Sequence, residues 1–332
     1  MREAMSAVEY LAGLIYAKLI NIMLAYIHHP KFELHEMGPG HPECPERLMS
    51  IDATLAVSPV NSQLQRYLAR PATTEMLLRA HTQAHLDLIK EAADRIVEEG
   101  VAYAMLDPDT MMNRYTFEAA TLAAGAGVLA VDLVLGGENN RAFCAVRPPG
   151  HHAERTRPMG FCFYSNIAVA AMHALEHHGL QRVAIVDFDV HHGNGTENVI
   201  AADDRVLMLS TFQSPFYPYS GEQPSGQNMV NVPLSEGSGG LTLKRAVANH
   251  WQQAMVAFKP ELIFISAGFD AHRMDPLGGL AWDTADYEWV TQWLVEQANL
   301  FSNGRIISML EGGYHLDALA QSVCAHLDVL AG

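Results

Sequence analysis

The stretch "RVAIVDFDVHHGNGT", residues 182–196, changes character halfway along, and that change decides the fold. Its first half is a continuous apolar run, as expected for a strand buried on both faces of a parallel sheet. Its second half sets Asp187, Asp189, His191 and His192 just where such a strand ends, followed by a Gly-Asn turn. Ligands of open α/β sheets bind beyond the carboxyl ends of the strands. The question is whether other strands deliver chemistry to the same edge.

They do. Apolar runs of the same kind occur at 22–27, 142–146, 205–211, 261–267 and 305–310. After 142–146 comes "RPPGHH" (147–152), after 261–267 comes "GFDAH" (268–272), and after 305–310 comes "EGGY" (311–314). Helical patterns fill the intervals. One at 116–135 places Phe117, Ala120, Ala124, Val128, Val131 and Leu135 on a single stripe. Another at 165–179 ends in His177-His178-Gly179, which fits a helix C-terminus. Further helices are expected over 240–258, 283–300 and 315–330. Strand–helix alternation throughout predicts one α/β domain around a mostly parallel sheet.

Bulk properties narrow the classes. The chain has 332 residues, 49% hydrophobic and 17% charged, which suits one large globular domain. A formal charge of −16 argues against direct nucleic-acid binding and is compatible with basic peptides or cationic small molecules. No apolar stretch reaches the ~18 uninterrupted residues of a membrane span. The nearest, 8–27, is broken by Glu9 and Lys18 and lacks the marks of a secretory signal. Residues 4–20 read as an amphipathic helix, so 1–22 form an N-terminal extension and 23–332 the catalytic domain. Cys44, Cys144, Cys162 and Cys324 have no disulfide or metal spacing and read as reduced thiols of a cytoplasmic protein. The oligomeric state is left open.

The residues at the shared edge define a chemistry. Asp187, Asp189 and His191 alternate and would share one face if strand geometry persisted. Asp189 and His191, joined by Asp270, make an O, N, O set, and three protein ligands with one open position mark a catalytic zinc. Fe(II), Mn(II) or Co(II) also suit such a set. His151 and His152 titrate near neutrality and suit proton transfer, with Asp187 and Asn194 available to orient them. An Asp partner keeps an imidazole cationic; an Asn partner leaves it readier to exchange a proton. Tyr314, after two glycines, would aim its phenol at a developing oxyanion. Together these parts describe a metal-assisted amide or ester hydrolase in which His152 moves the proton.

"RPPGHH", "GFCFYSN" (160–166), "DFDVHHGNGT", "SAGFDAH", "EGGY" and, near the start, "GHPECPERL" (40–48) resemble, in order and spacing, the zinc-dependent histone deacetylase family. The resemblance covers roughly residues 23–325 and is nearer the class II branch, because Asn194 stands where another branch has Asp. It implies an arginase–deacetylase fold around an eight-stranded sheet. It also implies zinc at Asp189, His191 and Asp270, His151 as electrostatic partner and His152 as general base and acid. A potassium ion is implied at Asp187, Asp189, His191, Ser210 and Thr211. The acyl tunnel would use Phe161 and either Phe216 or Tyr217 as walls, with Gly160 leaving room for the substrate stem. Apolar Leu277 stands where polyamine-selective members carry an acidic gatekeeper, which favours acyl-lysine substrates, although Asp109 at the rim would attract cations. The rival readings are a small-amide or acetylpolyamine amidohydrolase, a non-catalytic acyl-lysine reader and a binuclear manganese ureohydrolase.

Overall fold

A computed structural model describes residues 23–332. The predicted helix at 4–20 and the extension at 1–22 lie outside the described residues. In chain order the strands are β1 (Leu24–His28), β2 (Leu64–Leu68), β3 (Ala104–Asp107), β4 (Thr110–Met112), β5 (Arg141–Cys144), β6 (Val183–Asp187), β7 (Val206–Gln213), β8 (Met229–Leu234), β9 (Leu262–Ala267) and β10 (Ile306–Leu310). Eight of them form one sheet, ordered β2-β1-β5-β10-β9-β6-β7-β8, and every neighbouring pair is parallel. The short β3–β4 hairpin is antiparallel and stands apart. Helices cover the sheet, giving the α/β domain that the sequence pattern implied and the eight-stranded sheet that the family resemblance implied.

The six apolar runs become β1, β5, β6, β7, β9 and β10. The two strands without such a run, β2 and β8, are the sheet's edges. An edge strand has one flank open, so its sequence need not be apolar throughout: β2 reads LQRYL with both middle polar residues exposed, and β8 tolerates Pro233. The four strands that precede the quoted loops are consecutive neighbours, β5-β10-β9-β6. That adjacency brings the loops at 147–152, 311–314, 268–272 and 188–194 together.

The helix Thr116–Gly136 departs from its expected single stripe. It is buried on nearly all sides, with Phe117 and Leu135, both assigned to the core face, only partly covered. It is long and apolar enough to cross a membrane, yet here it is enclosed by the core, the usual fate of a helix hydrophobic all round. Gly125 and Gly127 permit that enclosure. A Cβ on Gly125 would lie 1.8 Å from the Arg70 carbonyl oxygen, and one on Gly127 2.9 Å from the Ala170 Cβ. The helix expected over 240–258 runs as Gly240–Ala246 and Gln252–Phe258, joined by a π-helical turn at Val247–Trp251.

Candidate active site

Strand β6 ends at Asp187, so Asp189 and His191 are arranged by a loop rather than by continued strand alternation. The loop is held by its own carboxylates: Asp187 Oδ1 accepts from the Asp189 N–H (3.1 Å), and Asp189 Oδ1 from the His191 N–H (2.9 Å). Asp270, beyond β9, accepts from the Val190 N–H through Oδ1 (2.9 Å). One ligand atom each from Asp189, His191 and Asp270 lie within 4.8 Å of one another, and all three residues are buried.

This set fits a single metal ion. His191 Nδ1 is 3.0 Å from Asp189 Oδ1 and 3.3 Å from Asp270 Oδ2. Ligands about 2.0–2.1 Å from a tetrahedral zinc are separated by roughly 3.3 Å, so these spacings match. Asp270 Oδ2 is buried with no hydrogen-bond donor on it, the condition of an oxygen that awaits a cation. Backbone presses closely around: a Cβ on Gly312 would fall 1.9 Å from Asp270 Oδ2, and one on Gly268 2.0 Å from Asp189 Oδ2. The protein's own charges lean the same way. Burial and the neighbouring Asp189 push the Asp270 pKa up to about 7, against the pull of His191. Burial opposes the charge on His191, but the neighbouring carboxylates of Asp189 and Asp270 outweigh it and bring its pKa to about 10. A concentration of carboxylate oxygens is thus holding positive charge at its centre.

The two histidines after β5 are buried side by side, ring centroids 4.0 Å apart, and each has the partner foreseen for it. His151 Nδ1 is 3.1 Å from Asp187 Oδ2; His152 Nδ1 is 2.8 Å from Asn194 Oδ1. Burial disfavours the cation at both rings. At His151 the charges of Asp189 and Asp187 overcome this and raise its pKa well above the usual value. At His152 the nearby His151 and His191 reinforce burial and hold its pKa well below. The pair therefore divides into one imidazolium and one neutral imidazole.

A cavity of about 260 Å³ opens onto these groups, lined by Asp109, His152, Gly160, Phe161, His191, Phe216, Tyr217, Pro276, Leu277 and Tyr314. All four expected tunnel residues are present. Phe216 and Tyr217, left as alternatives by the sequence, both contribute: Phe216 stacks on His191 (5.5 Å) and Tyr217 stands edge-on to His152 (5.2 Å). Gly160, which lines the cavity as expected, also serves the histidine dyad. A Cβ there would lie 2.4 Å from His152 Cδ2, so the missing side chain makes room for the imidazole. Tyr314 meets Phe161 edge-on (5.8 Å), its backbone turned by Gly313 at φ +120°.

Sequence reasoning missed the groups that hold this framework. Glu311 is buried, and its Oε2 accepts from the N–H groups of Gly150 (2.7 Å) and His151 (3.1 Å), tying the histidine loop to β10. Glu43 receives the fully buried Arg147 through two hydrogen bonds and lies beside Arg47 and His35. Arg47 in turn donates to the Gly313 carbonyl (2.7 Å) and lies 4.9 Å over the Tyr314 ring. "GHPECPERL" carried Glu43 and Arg47, but no local signal pairs residues 104 or 266 positions apart.

Two other clusters lie outside this set. His177 caps the helix Asn166–Glu176, as its sequence suggested, and its ring lies with those of His173 and His178. Asp132 accepts from both His173 and His178, while Arg79 donates to His173 Nδ1. A guanidinium only donates, so His173 already uses both nitrogens, and the cluster reads as structural. Beside the active site, the hydroxyls of Ser210 and Thr211 are buried without partners, and Ser210 is the ladder partner of Asp187.

The family model of the histone deacetylase domain matches residues 41–330. Histone deacetylase 14, chloroplastic, of Arabidopsis thaliana is 34% identical over 95% of this chain and 77% of its own length. A histone deacetylase-like amidohydrolase of Pseudomonas aeruginosa is 36% identical over 83% of this chain and 73% of its own. The crystal structure of the HDA15 HD domain superposes with a TM-score of 0.86 at 35% identity, covering 93% of this chain and 90% of that one.

Proposed function

Because the chain belongs to the histone deacetylase family, we propose that it is a zinc-dependent amidohydrolase that removes acetyl or other short acyl groups from lysine side chains. The observation that carries the reading is the 260 Å³ cavity, in which His152, His191 and Tyr314 meet between the aromatic walls Phe161 and Phe216. Asp189, His191 and Asp270 would hold the zinc, which when bound supplies Lewis acidity toward a substrate carbonyl and acidifies water.

The chain's own groups divide the remaining work. Phe161 and Phe216 pack the methylene stem of an acyl-lysine and exclude water. Neutral His152 takes the proton of the attacking water and returns it to the leaving amine, so the amine departs uncharged from the carbonyl carbon. His151, held cationic by Asp187, favours the negative charge that develops beside it. The Tyr314 phenol, whose pKa burial pushes well above its usual value despite Arg47, stays protonated and donates to the oxyanion. Potassium beside Asp187, Asp189 and His191 is supported by the unpartnered hydroxyls of Ser210 and Thr211. Cytoplasmic residence rests on four free cysteines.

Leu277 at the cavity wall favours acyl-lysine over acetylated polyamines. The test is turnover of a fluorogenic acetyl-lysine peptide and of N-acetylputrescine, with and without a zinc chelator. Chelator-sensitive turnover of the peptide in excess of the polyamine is expected. Preference for the polyamine would overturn the substrate assignment, and hydrolysis of neither by zinc-loaded protein would overturn the activity.

A further inference from the structure

We infer that Glu154, which takes no part in the cavity lining, is the residue that sets the tautomer of His152, acting through Asn194. This rests on the hydrolase reading, in which His152 must present an unprotonated Nε2 to water. Asn194 Oδ1 lies 2.8 Å from His152 Nδ1. The two ends of an asparagine amide are nearly identical in shape, however, so that contact alone does not decide which end faces the ring. If the NH2 end faced it, Nδ1 would have to accept, the proton would sit on Nε2, and the ring would be unable to act as a base.

A second contact decides. Asn194 Nδ2 lies 2.9 Å from Glu154 Oε1, and a carboxylate only accepts. The NH2 end is therefore drawn to Glu154 and the carbonyl end left for His152. The reverse orientation would set two acceptor oxygens against each other at that distance. Met159 Sδ, 3.4 Å from the same nitrogen, is a further weak acceptor on the NH2 side. Glu154 is well placed to impose this. It follows the histidine pair by two residues, its N–H donates to the Arg157 carbonyl (2.9 Å), and its own carbonyl accepts from His81 (3.0 Å). The dyad and the group that orients it thus ride on one anchored loop. An asparagine partner makes His152 a readier proton carrier than an aspartate would, but it introduces an orientation that must be chosen, and Glu154 makes the choice.

The test uses the zinc-loaded chain with Glu154→Ala, Glu154→Gln, Asn194→Asp and the double variant Asn194→Asp/Glu154→Ala. Glu154→Ala is expected to lower kcat by about 10-fold or more, with KM within about 2-fold and zinc content unchanged. Glu154→Gln, whose side-chain carbonyl still accepts, should retain most of the turnover. In the Asn194→Asp background both oxygens accept, no orientation remains to be chosen, and removing Glu154 should cost nothing further. Imidazole 15N shifts, with His152 identified by difference against His152→Ala, should report a proton on Nδ1 in the parent and a tautomer mixture in Glu154→Ala. Equal losses in both backgrounds, or an unchanged Nδ1 tautomer in Glu154→Ala, would overturn the proposal. The tautomer readout needs no substrate, so it decides the role of Glu154 even if the hydrolase reading fails.

Discussion

Replacing Gly312 by alanine adds one methyl group to a backbone whose φ any residue can adopt, so its effect is purely one of space. That methyl would stand 1.9 Å from Asp270 Oδ2 and 2.7 Å from Asp189 Oδ2, whereas real Cβ atoms essentially never come nearer than 3.0 Å. Asp270 Oδ2 would have to retreat by 3.0 − 1.9 = 1.1 Å. Metal sites tolerate about ±0.2 Å in ligand distance, so the displacement is several times the allowance. We expect zinc affinity to fall by about 100-fold, the upper range for disturbed ligand support, or ~2.7 kcal/mol. Overpacking of this kind also costs about 1–3 kcal/mol of stability. Gly136→Ala, where nothing lies within 4 Å of the added methyl, is the control and should leave zinc affinity unchanged. Competition with a chromophoric chelator measures the affinity, and urea unfolding of the metal-free protein measures the packing cost. Zinc affinity in Gly312→Ala within 3-fold of the parent would refute the argument that this glycine shapes the ligand carboxylates.

Tyr314→Phe should keep its zinc, measured by metal analysis, while kcat falls by about 10²–10³, the usual loss of one oxyanion donor. Full amide turnover in that variant would remove Tyr314 from the mechanism. Glu43→Ala leaves Arg47 and Arg147 buried without their carboxylate, and denaturant unfolding should show a loss of about 3–5 kcal/mol; a loss below about 1 kcal/mol would mean that water enters to replace it. Burial works against the charge on Glu197, but hydrogen bonds from His192, the Ser225 N–H and Asn231 bring its pKa down to about 2. Because this folded value lies below the ~4.3 of an unfolded glutamate, its contribution is complete above that pH and is lost as pH falls from there toward 2. The stability gap between the parent and Glu197→Gln should therefore narrow as pH falls below about 4.3 toward 2; a gap that widens there would contradict the sign.

The centre of the fold was legible because its strands are enclosed on both faces, which forces continuous apolar runs and makes the loops after them easy to find. β2 and β8 were hidden for the complementary reason: at an edge, exposed Gln65 and Arg66 or Pro233 are tolerated, and the pattern that marks a strand disappears. The ligands and the histidine dyad were readable because each lies directly after such a run. What could not be read were interactions that close only in three dimensions. Glu43 and Arg147 are each isolated in sequence and meet across two loops; Glu311 was visible in "EGGY", but its two backbone hydrogen bonds to Gly150 and His151 were not. Helix Thr116–Gly136 misled in a simpler way, since a helix enclosed on every side has no outward stripe from which to read its orientation.

The proposed mechanism requires that one metal ion, held by Asp189, His191 and Asp270, serve one neutral histidine. It is tested most directly by titrating metal-stripped protein with zinc while following turnover of an acetyl-lysine peptide. Turnover should be absent at the start, rise linearly and break at one equivalent. His152→Ala should bind the same equivalent without gaining activity, and Asp270→Ala should do neither. A break at two equivalents, or turnover that survives in the stripped protein, would contradict it.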